Sequence, residues 1–292
     1  MAPRPQIACE IAADRVLAGR AADTASVVES CASQELSPGS VVPDMMEANV
    51  KQQDAAARAL KSTLEAVGGR SHDVIAILPD AAARVAWLDF DTLPSNREEA
   101  EGVVRFRLRK SLPFNIDEAK VSYHAHVANN SVRVVAAVAL TRVVEEYENL
   151  FRELGYNPGV VMPSMLAALA AAGANKPTLV VKVDANSTGI AILDQQQLLL
   201  IRTLENPRGI RITGEQLAED VYPSVVFFED TYHLNIQQIF ISGLPEIAAA
   251  ETALRAQTGA EVRDLVASSQ LSGSLGSVPK WRMAGVVGAL LG

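Results

Sequence analysis

The sequence predicts an α/β protein built from two halves of similar character. The chain has 292 residues, of which 49% are hydrophobic, so it is long enough to form one or two domains with a substantial core. Strand-like and helix-like segments occur on both sides of residue 176, where the composition becomes richer in strand-forming residues. We therefore predict a first half at 1–175 and a second half at 176–292.

Composition and charge argue against several classes of protein. A disordered chain would contain far fewer apolar residues, and a nucleic-acid-binding protein is usually basic, whereas this chain has a net charge of −8. Two cysteines, Cys9 and Cys31, are too few for a disulfide framework or a zinc ribbon and favour a reducing compartment. No signal peptide is predicted, and no segment is expected to span a membrane, because the apolar tail at 283–292 is too short and 156–175 predicts a buried helix from about Pro163.

The first half alternates between strands and helices. A strand entering a turn is predicted at 7–17, and apolar residues at helical spacing predict a helix that ends at Gly68-Gly69. Short apolar runs predict strands at 74–78 and 84–90.

A helix is predicted at 96–111, with acidic residues at its start and basic residues at its end, as the helix dipole favours. Its predicted apolar stripe consists of Ala100, Val103, Val104 and Leu108. The basic end is interpreted as a solvated face, with contact to anionic lipid or to an acidic segment of a partner as the alternative.

Alternating residues predict a hairpin of strands at 120–127 and 132–140 with a turn at 129–131. His124 and His126 lie on one face of its first strand, but no third ligand lies at a suitable spacing, so no metal site is predicted. Thr141 is the predicted N-cap of a helix that Gly155 ends.

The second half is predicted to begin with three successive strands and to end with a helix. The strands are predicted at 179–183, 188–193, 198–203, 239–242 and 261–266. Helices are predicted at 215–232, at 245–257 and at the C-terminus, with a loop at 267–279.

The sequence contains no Walker A loop, no Gly-x-Gly-x-x-Gly and no Gly-x-Ser-x-Gly motif, so no catalytic residues are predicted. Two segments place a carboxylate near the end of a strand, followed by small residues and a second strand, with Glu10 in one and Asp184 in the other. In nucleotide-binding hairpins this arrangement lets backbone amides approach phosphates while the carboxylate holds Mg²⁺ through water. The tightest point requires a small residue, usually glycine, but here it carries Ala12 and Asn186.

The order and spacing of several segments resemble the PilM family, the actin-like, FtsA-related cytoplasmic proteins of the type IV pilus assembly platform. The most specific segment is 104–119, with its Leu112-Pro113-Phe114 turn, followed by Val121-Ser-Tyr123. Weaker similarity extends over nearly the whole chain, at 36–44, 74–79, 84–88, 135–140, 147–155, 239–243 and 284–290.

The resemblance implies an actin-like (RNase H-like duplicated) core with an inserted α/β subdomain at about 72–153. It also implies a reduced fourth subdomain, because few residues lie between Thr203 and the helix at 215–232, and a last helix at about 280–292 that returns to the first half. If nucleotide binding were retained, the resemblance would place six residues near the nucleotide and Mg²⁺: Glu10, Asp184, Asn186, Ser187, Thr188 and Gly243. With two glycines replaced and most of the lid missing, we expect no cofactor, or at most weak ATP and Mg²⁺ binding.

The resemblance also implies a scaffold rather than an enzyme. The family binds the N-terminal tail of PilN, an inner-membrane protein, in a groove between the first core subdomain and the insert. We therefore expect a PilN-like tail and other pilus platform proteins as partners, and a cytoplasmic location at the inner membrane. The predicted partner-binding residues are Leu112, Pro113, Phe114 and Tyr123, with the alternative that Phe114 only fills the core of the insert.

Two other functions remain open at this stage. An actin-like ATPase would need a complete nucleotide cleft. A GspL-like cytoplasmic domain of a type II secretion system would share the fold and would normally continue into a membrane span.

Overall fold

The structure of the protein is a computed structural model that describes residues 4–128 and 131–292. Residues Asn129 and Asn130 of the predicted hairpin turn lie outside the described residues. The strands are β1 (Ile7–Ile11), β2 (Arg15–Ala21), β3 (Val28–Glu35), β4 (Asp73–Leu78), β5 (Arg84–Phe90), β6 (Ala119–Ala128), β7 (Ser131–Leu140), β8 (Asn157–Pro163), β9 (Thr178–Val183), β10 (Ser187–Asp194), β11 (Gln197–Glu205), β12 (Gln238–Ser242), β13 (Glu261–Asp264) and β14 (Leu271–Ser274). The helices are α1 (Gln53–Val67), α2 (Arg97–Leu108), α3 (Thr141–Glu153), α4 (Ser164–Leu169), α5 (Gly214–Tyr232), α6 (Ala248–Thr258) and α7 (Ala284–Leu291).

Two sheets repeat the same strand order. Five strands of the first sheet lie in the order β3-β2-β1-β4-β8, with β14 added beside β3, and the second sheet has the order β11-β10-β9-β12-β13. In each sheet the first three strands are antiparallel, and the last two run parallel to the strand at the centre. The predicted duplicated α/β core is confirmed.

Helices cover the outer faces of both sheets and fill the space between them. α1 and α3 pack on the first sheet, and α5 and α6 pack on the second. The short helices α4 and α7 lie in the apolar cluster that joins the two sheets, with Met165 and Val286 among its buried residues. A Cβ at Gly288 would overlap the carbonyl oxygen of Ala167, so these two helices approach closely only because α7 has glycine there.

A third sheet, of order β5-β7-β6, forms the insert. α2 covers one face of this sheet, where Val104 and Leu108 contact Val134 and Ala136. The insert therefore extends over 84–140 and not over the predicted 72–153. The prediction was too wide because β4 belongs to the first sheet, and because α3 buries its apolar face in the core of the first half.

Several predicted details are corrected. Val103 is 38% exposed, because a three-stranded sheet contacts only a narrow stripe of α2. Leu140, not Thr141, is the N-cap of α3, and it makes no side-chain capping bond. The predicted loop at 267–279 contains β14, which pairs in parallel with β3 and so extends the first sheet with residues from the second half.

Two further expectations concern the second half and the membrane. Between β11 and α5, residues 206–213 contain a single 3-10 turn at Gly209–Arg211, so this region is as reduced as predicted. α7 packs against the strands of the first sheet, as expected for a last helix that returns to the first half.

Among the described residues, no helix is long and apolar enough to cross a membrane.

The packing of α2 gives a test of the insert. Leu108 is fully buried, whereas Arg107 is exposed on the same helix. We expect Leu108→Ala to lower the free energy of unfolding by about 2–5 kcal/mol, because it leaves a cavity against the sheet. We expect the matched Arg107→Ala to change it by less than about 0.5 kcal/mol. Urea titrations measure both values, and equal losses would mean that α2 is rotated relative to this structure.

Candidate functional site

The two halves meet where the β1–β2 hairpin faces the β9–β10 hairpin. Each hairpin turns through the same backbone hydrogen bond: Ala12 N donates to Arg15 O at 2.8 Å, and Asp184 N donates to Ser187 O at 2.8 Å. These two turns are therefore equivalent positions of the duplicated core.

Aligning the turns pairs Glu10 with Lys182 and Ala12 with Asp184. The strand register agrees, since Glu10 lies opposite Leu17 and Lys182 lies opposite Gly189 in the matching hairpin. The sequence-based treatment of Glu10 and Asp184 as equivalent carboxylates was therefore wrong by two residues. The strand position equivalent to Glu10 carries a cation, and Asp184 occupies the tight turn.

Lys182 connects the two halves through ion pairs. Its side chain is 4% exposed, and its Nζ lies 3.8 Å from Glu10 Oε1 and also pairs with Asp184 Oδ2. Although burial acts to lower the pKa of Lys182, the nearby carboxylates of Asp184, Glu10 and Asp80 raise it above its usual value. The ammonium group therefore stays charged between acids from both halves.

Asp80 adds a third carboxylate, in the 3-10 turn Asp80–Ala82 that follows β4. Its Oδ1 accepts a hydrogen bond of 2.8 Å from Met165 N at the start of α4. Burial raises the pKa of Asp80 to about 7, although Lys182 opposes this effect. Ser164 Oγ donates to Glu10 Oε1, so two residues of α4 bind the acids of the first half.

The arrangement does not fit Mg²⁺ and a nucleotide. Actin-like nucleotide clefts need free carboxylates for the metal and glycine turns for the phosphates, whereas Lys182 neutralises the acids and the turns carry Ala12 and Asp184. Asn206 Nδ2 donates to the buried Thr188 Oγ1 at 3.1 Å, so this hydroxyl is used within the protein. Within residues 4–128 and 131–292, no group of three or more His, Cys, Asp or Glu side chains is placed to hold a metal.

Ser187, Asn186 and Gly243 are the other residues that were predicted to lie near a nucleotide. Ser187 is buried and Asn186 is exposed at the turn. Gly243 has φ +90°, and a Cβ there would overlap the carbonyl oxygen of Val183. Its glycine is required by contact between neighbouring strands, which is a sufficient reason without any ligand.

A second feature is a groove between the insert and the first half. It encloses a cavity of about 240 Å³. One wall is β6 and β7, with Ser122 and Ala137, and the other is β8, with Pro158 and Met162. Both β6 and β8 are edge strands, so each presents unpaired backbone groups along one side.

Charged residues line one part of the groove. The side chain of Glu148, in α3, is 9% exposed and forms an ion pair of 3.2 Å with Lys120 of β6. Arg152 contacts the same carboxylate at 2.7 Å. The groove therefore combines an apolar lining with a charged pair that joins the insert to the first half.

The four residues predicted to bind a partner do not line this groove. Leu112, Phe114 and Tyr123 pack against the core of the insert, and Phe114 also contacts the core of the first half. Their part in partner binding stays a prediction, while the packing supports the alternative that Phe114 fills a core. The sequence predicted the hairpin of β6 and β7 but not β8, because only the fold brings that strand beside β6.

The two histidines of the insert and both cysteines of the chain have defined positions. His124 and His126 are exposed on the face of the insert sheet opposite α2, beside a cavity of about 210 Å³ that also contains Trp87 and Arg133. Cys9 and Cys31 are free and buried. Burial raises the pKa of the Cys31 thiol to about 12, which makes it unreactive.

Comparison with known proteins identifies structural relatives only. No family model and no curated protein matches the sequence. A solved structure of a PilM–PilN type IV pilus biogenesis complex matches with a TM-score of 0.81 at 18% identity, over 99% of this chain and 98% of the matched chain. The cytoplasmic domain of EpsL, an inner-membrane component of the type II secretion system of Vibrio cholerae, matches with a TM-score of 0.53 at 10% identity, over 98% and 92%.

A protein of unknown function with an actin-like ATPase fold, from Bacteroides thetaiotaomicron, matches with a TM-score of 0.51 at 12% identity, over 98% of this chain and 94% of that chain. These identities are low, so the matches establish the fold. The protein has the actin-like fold that the resemblance implied, and its overall structure is similar to that in the PilM–PilN complex over almost the full length.

The ion pairs of Lys182 give a test of the cleft. We expect Lys182→Met to lower the free energy of unfolding by about 3–5 kcal/mol at pH 8, because the only buried cation left near these carboxylates, among the described residues, is then Arg15, which is already paired with Asp14. The loss should be smaller at pH 5, where Asp80, with a pKa raised to about 7, is protonated in the folded protein and no longer needs the cation. Urea titrations at both pH values test this, with the exposed Lys51→Met as the control. A loss that is independent of pH would contradict the electrostatic assignment.

Proposed function

We propose that the protein is a PilM-like scaffold of a type IV pilus assembly platform and that its groove binds the N-terminal tail of a PilN-like inner-membrane protein. The observation that carries this proposal is the apolar groove between the edge strands β6 and β8. A peptide in extended conformation binds such a site by pairing its backbone with a strand edge and placing alternate side chains in apolar pockets. The full-length similarity to the structure of a PilM–PilN complex supports the same partner.

A scaffold needs no catalysis, and the cleft supports this view. Its acids are neutralised by Lys182, and the residues that would roof a nucleotide are reduced to a 3-10 turn at Gly209–Arg211. We therefore propose that the protein is not an ATPase and that binding of the tail holds it at the inner membrane. The cytoplasmic domain of EpsL, an inner-membrane component of a type II secretion system, shares the fold with a lower TM-score, so a place in such a system is the second candidate.

Isothermal titration with Mg-ATP tests the non-enzymatic part of the proposal. We expect a Kd of about 1 mM or weaker, because Lys182 lies among the carboxylates that would hold the metal. Low-micromolar binding would contradict the interpretation of the cleft, and turnover of ATP would favour the ATPase alternative. Neither result would bear on the proposal that the groove binds a peptide.

A fluorescence titration with a synthetic peptide of the PilN N-terminal tail tests the groove. We expect Ala137→Trp to weaken binding at least tenfold, equivalent to about 1.4 kcal/mol, because the half-buried side chain of Ala137 lines the groove and an indole would fill it. The matched control is Ala125→Trp, which places the same ring at an exposed position of β6 outside the groove.

Both variants should keep the thermal midpoint of the unaltered protein. Equal loss of binding in the two variants would point to the outer surface of the hairpin, and no binding by the unaltered protein would contradict the proposed partner. Phe114→Ala is a less useful probe, since Phe114 packs against the cores of both the insert and the first half.

A further inference from the structure

A second cavity, of about 210 Å³, lies where the insert meets the second half, and we call it the seam cavity. The insert lines it with residues of all three of its strands: Trp87, His124, His126, Arg133 and Val135. The second half lines it with residues at the turn between β10 and β11: Gln196, Gln197 and Leu198. The seam cavity shares no lining residue with the groove.

Strand register places six residues of the insert in two rows on the sheet face opposite α2. The first row is Trp87, Val135 and His124, and the second row is Asp89, Arg133 and His126. Side chains opposite one another on neighbouring strands have Cβ atoms about 4.5–5.5 Å apart, and rows two residues apart are separated by about 7 Å. A ring in the first row is therefore within reach of a charged group in the second.

Several polar side chains of the seam cavity have no partner within the described residues. Arg133 makes no side-chain hydrogen bond there, and its ion pair with the exposed Asp89 is loose, at 3.9 Å. In the same part of the chain, the side chains of His124, His126 and Gln197 form no hydrogen bond or ion pair. The seam cavity therefore presents a cation and several hydrogen-bonding groups that a ligand can use.

An aromatic surface lies beside this cation. Trp87 is half-buried, and the guanidinium carbon of Arg133 lies 6.0 Å from the centroid of its ring. Val135 and Leu198 add apolar contacts. An indole stacks on other aromatic rings, and a guanidinium binds a planar carboxylate through two parallel N–H donors. The two side chains together favour a molecule that has both an aromatic ring and an acid group.

The turn between β10 and β11 forms a rigid wall of the seam cavity. Gln195 and Gln196 have φ +47° and +62°, a conformation in which hairpin turns usually carry Asn or Gly. The turn is held by hydrogen bonds from Gln196 N to Ala174 O at 2.7 Å and from Gln196 Nε2 to Asn175 Oδ1 at 3.2 Å. These bonds fix the turn from within the second half and leave the amide of Gln197 beside the cavity.

We propose that the seam cavity binds a small aromatic carboxylate, which is a single ring that carries one carboxylate group. The ring stacks on Trp87, and the carboxylate pairs with Arg133. The carboxylate also accepts a hydrogen bond from His126, because an imidazole has at least one N–H group in either protonation state. The amide of Gln197 faces the same ligand from the second half, so the bound molecule contacts both parts of the protein.

Size and charge restrict the ligand. Drug-sized ligands occupy pockets of roughly 300–1,000 Å³. A cavity of about 210 Å³ suits one ring with short substituents and is too small for a nucleoside triphosphate. Two imidazoles on one face also suit a metal ion, but the positive charge of Arg133, directly opposite His126, disfavours a cation there.

A ligand-observed NMR titration of the full chain with benzoate tests the proposal. We expect saturation transfer to the ring protons and a Kd of about 0.1–1 mM, which is typical of a ligand of this size. Benzamide keeps the ring without the charge, and cyclohexanecarboxylate keeps the charge without the aromatic ring. We expect each of them to bind at least about tenfold more weakly than benzoate.

Substitutions test the two main contacts separately. Arg133→Gln should weaken benzoate binding at least about tenfold and remove the preference for benzoate over benzamide. Trp87→Leu should remove the preference for benzoate over cyclohexanecarboxylate, and Trp87→Phe should retain it. Asp89→Asn should strengthen benzoate binding about twofold or more, because Arg133 then has no competing carboxylate. The matched control Arg84→Gln, at an exposed position on the opposite face of β5, should leave the affinity unchanged.

No binding of benzoate by the unaltered protein at about 10 mM would overturn the proposal. Binding that survives both Arg133→Gln and Trp87→Leu would overturn it as well, since the ligand would then lie elsewhere. Circular dichroism melts check that each variant is folded, and the stronger binding expected of Asp89→Asn has no explanation in lost structure. The titration contains no peptide, so the outcome for the tail in the groove does not affect it.

Discussion

The buried ammonium of Lys182 lies between carboxylates from both halves, and the relation of the two sheets depends on it. Apolar contact between α4 and α7 drives the halves together but is not directional. An ion pair in a buried site is directional, because displacement of either partner leaves a charge that neither water nor protein stabilises. The cation therefore fixes how Glu10 of one half is placed relative to Asp184 of the other.

Under the proposed function, this arrangement accounts for an actin-like fold that works without a nucleotide. Where a metal and a nucleotide would otherwise bridge the halves, the chain supplies its own positive charge. Under the same proposal, the bridge is permanent and independent of any nucleotide cycle. A protein that holds a partner in one fixed geometry benefits from such a permanent bridge. A motor or a switch would instead lose the conformational change that nucleotide binding drives.

Local signals in the sequence were sufficient for most of the secondary structure, but not for the positions that depend on long-range pairing. The strand and helix pattern predicted both sheets, because alternation and helical spacing report the face that each element buries. The sequence did not show which residues of the two hairpin turns are equivalent. Lys182 and Asp184 are only two residues apart, and the hydrogen bond from Asp184 N to Ser187 O is what shows that Lys182 matches Glu10. The groove was half predicted, because β8 approaches β6 only in the folded chain.

The pairing of β14 with β3 has a consequence for how the protein reaches its native state. Leu271 lies opposite Val28, so the first sheet is completed by residues from near the other end of the chain. Contacts of such high sequence separation require closure of a very long loop, and they slow folding. The N-terminal residues emerge first during synthesis, yet β3 must wait for nearly the whole chain before its outer edge is covered. Until then it presents an open strand edge, a period in which a chaperone would be of most use.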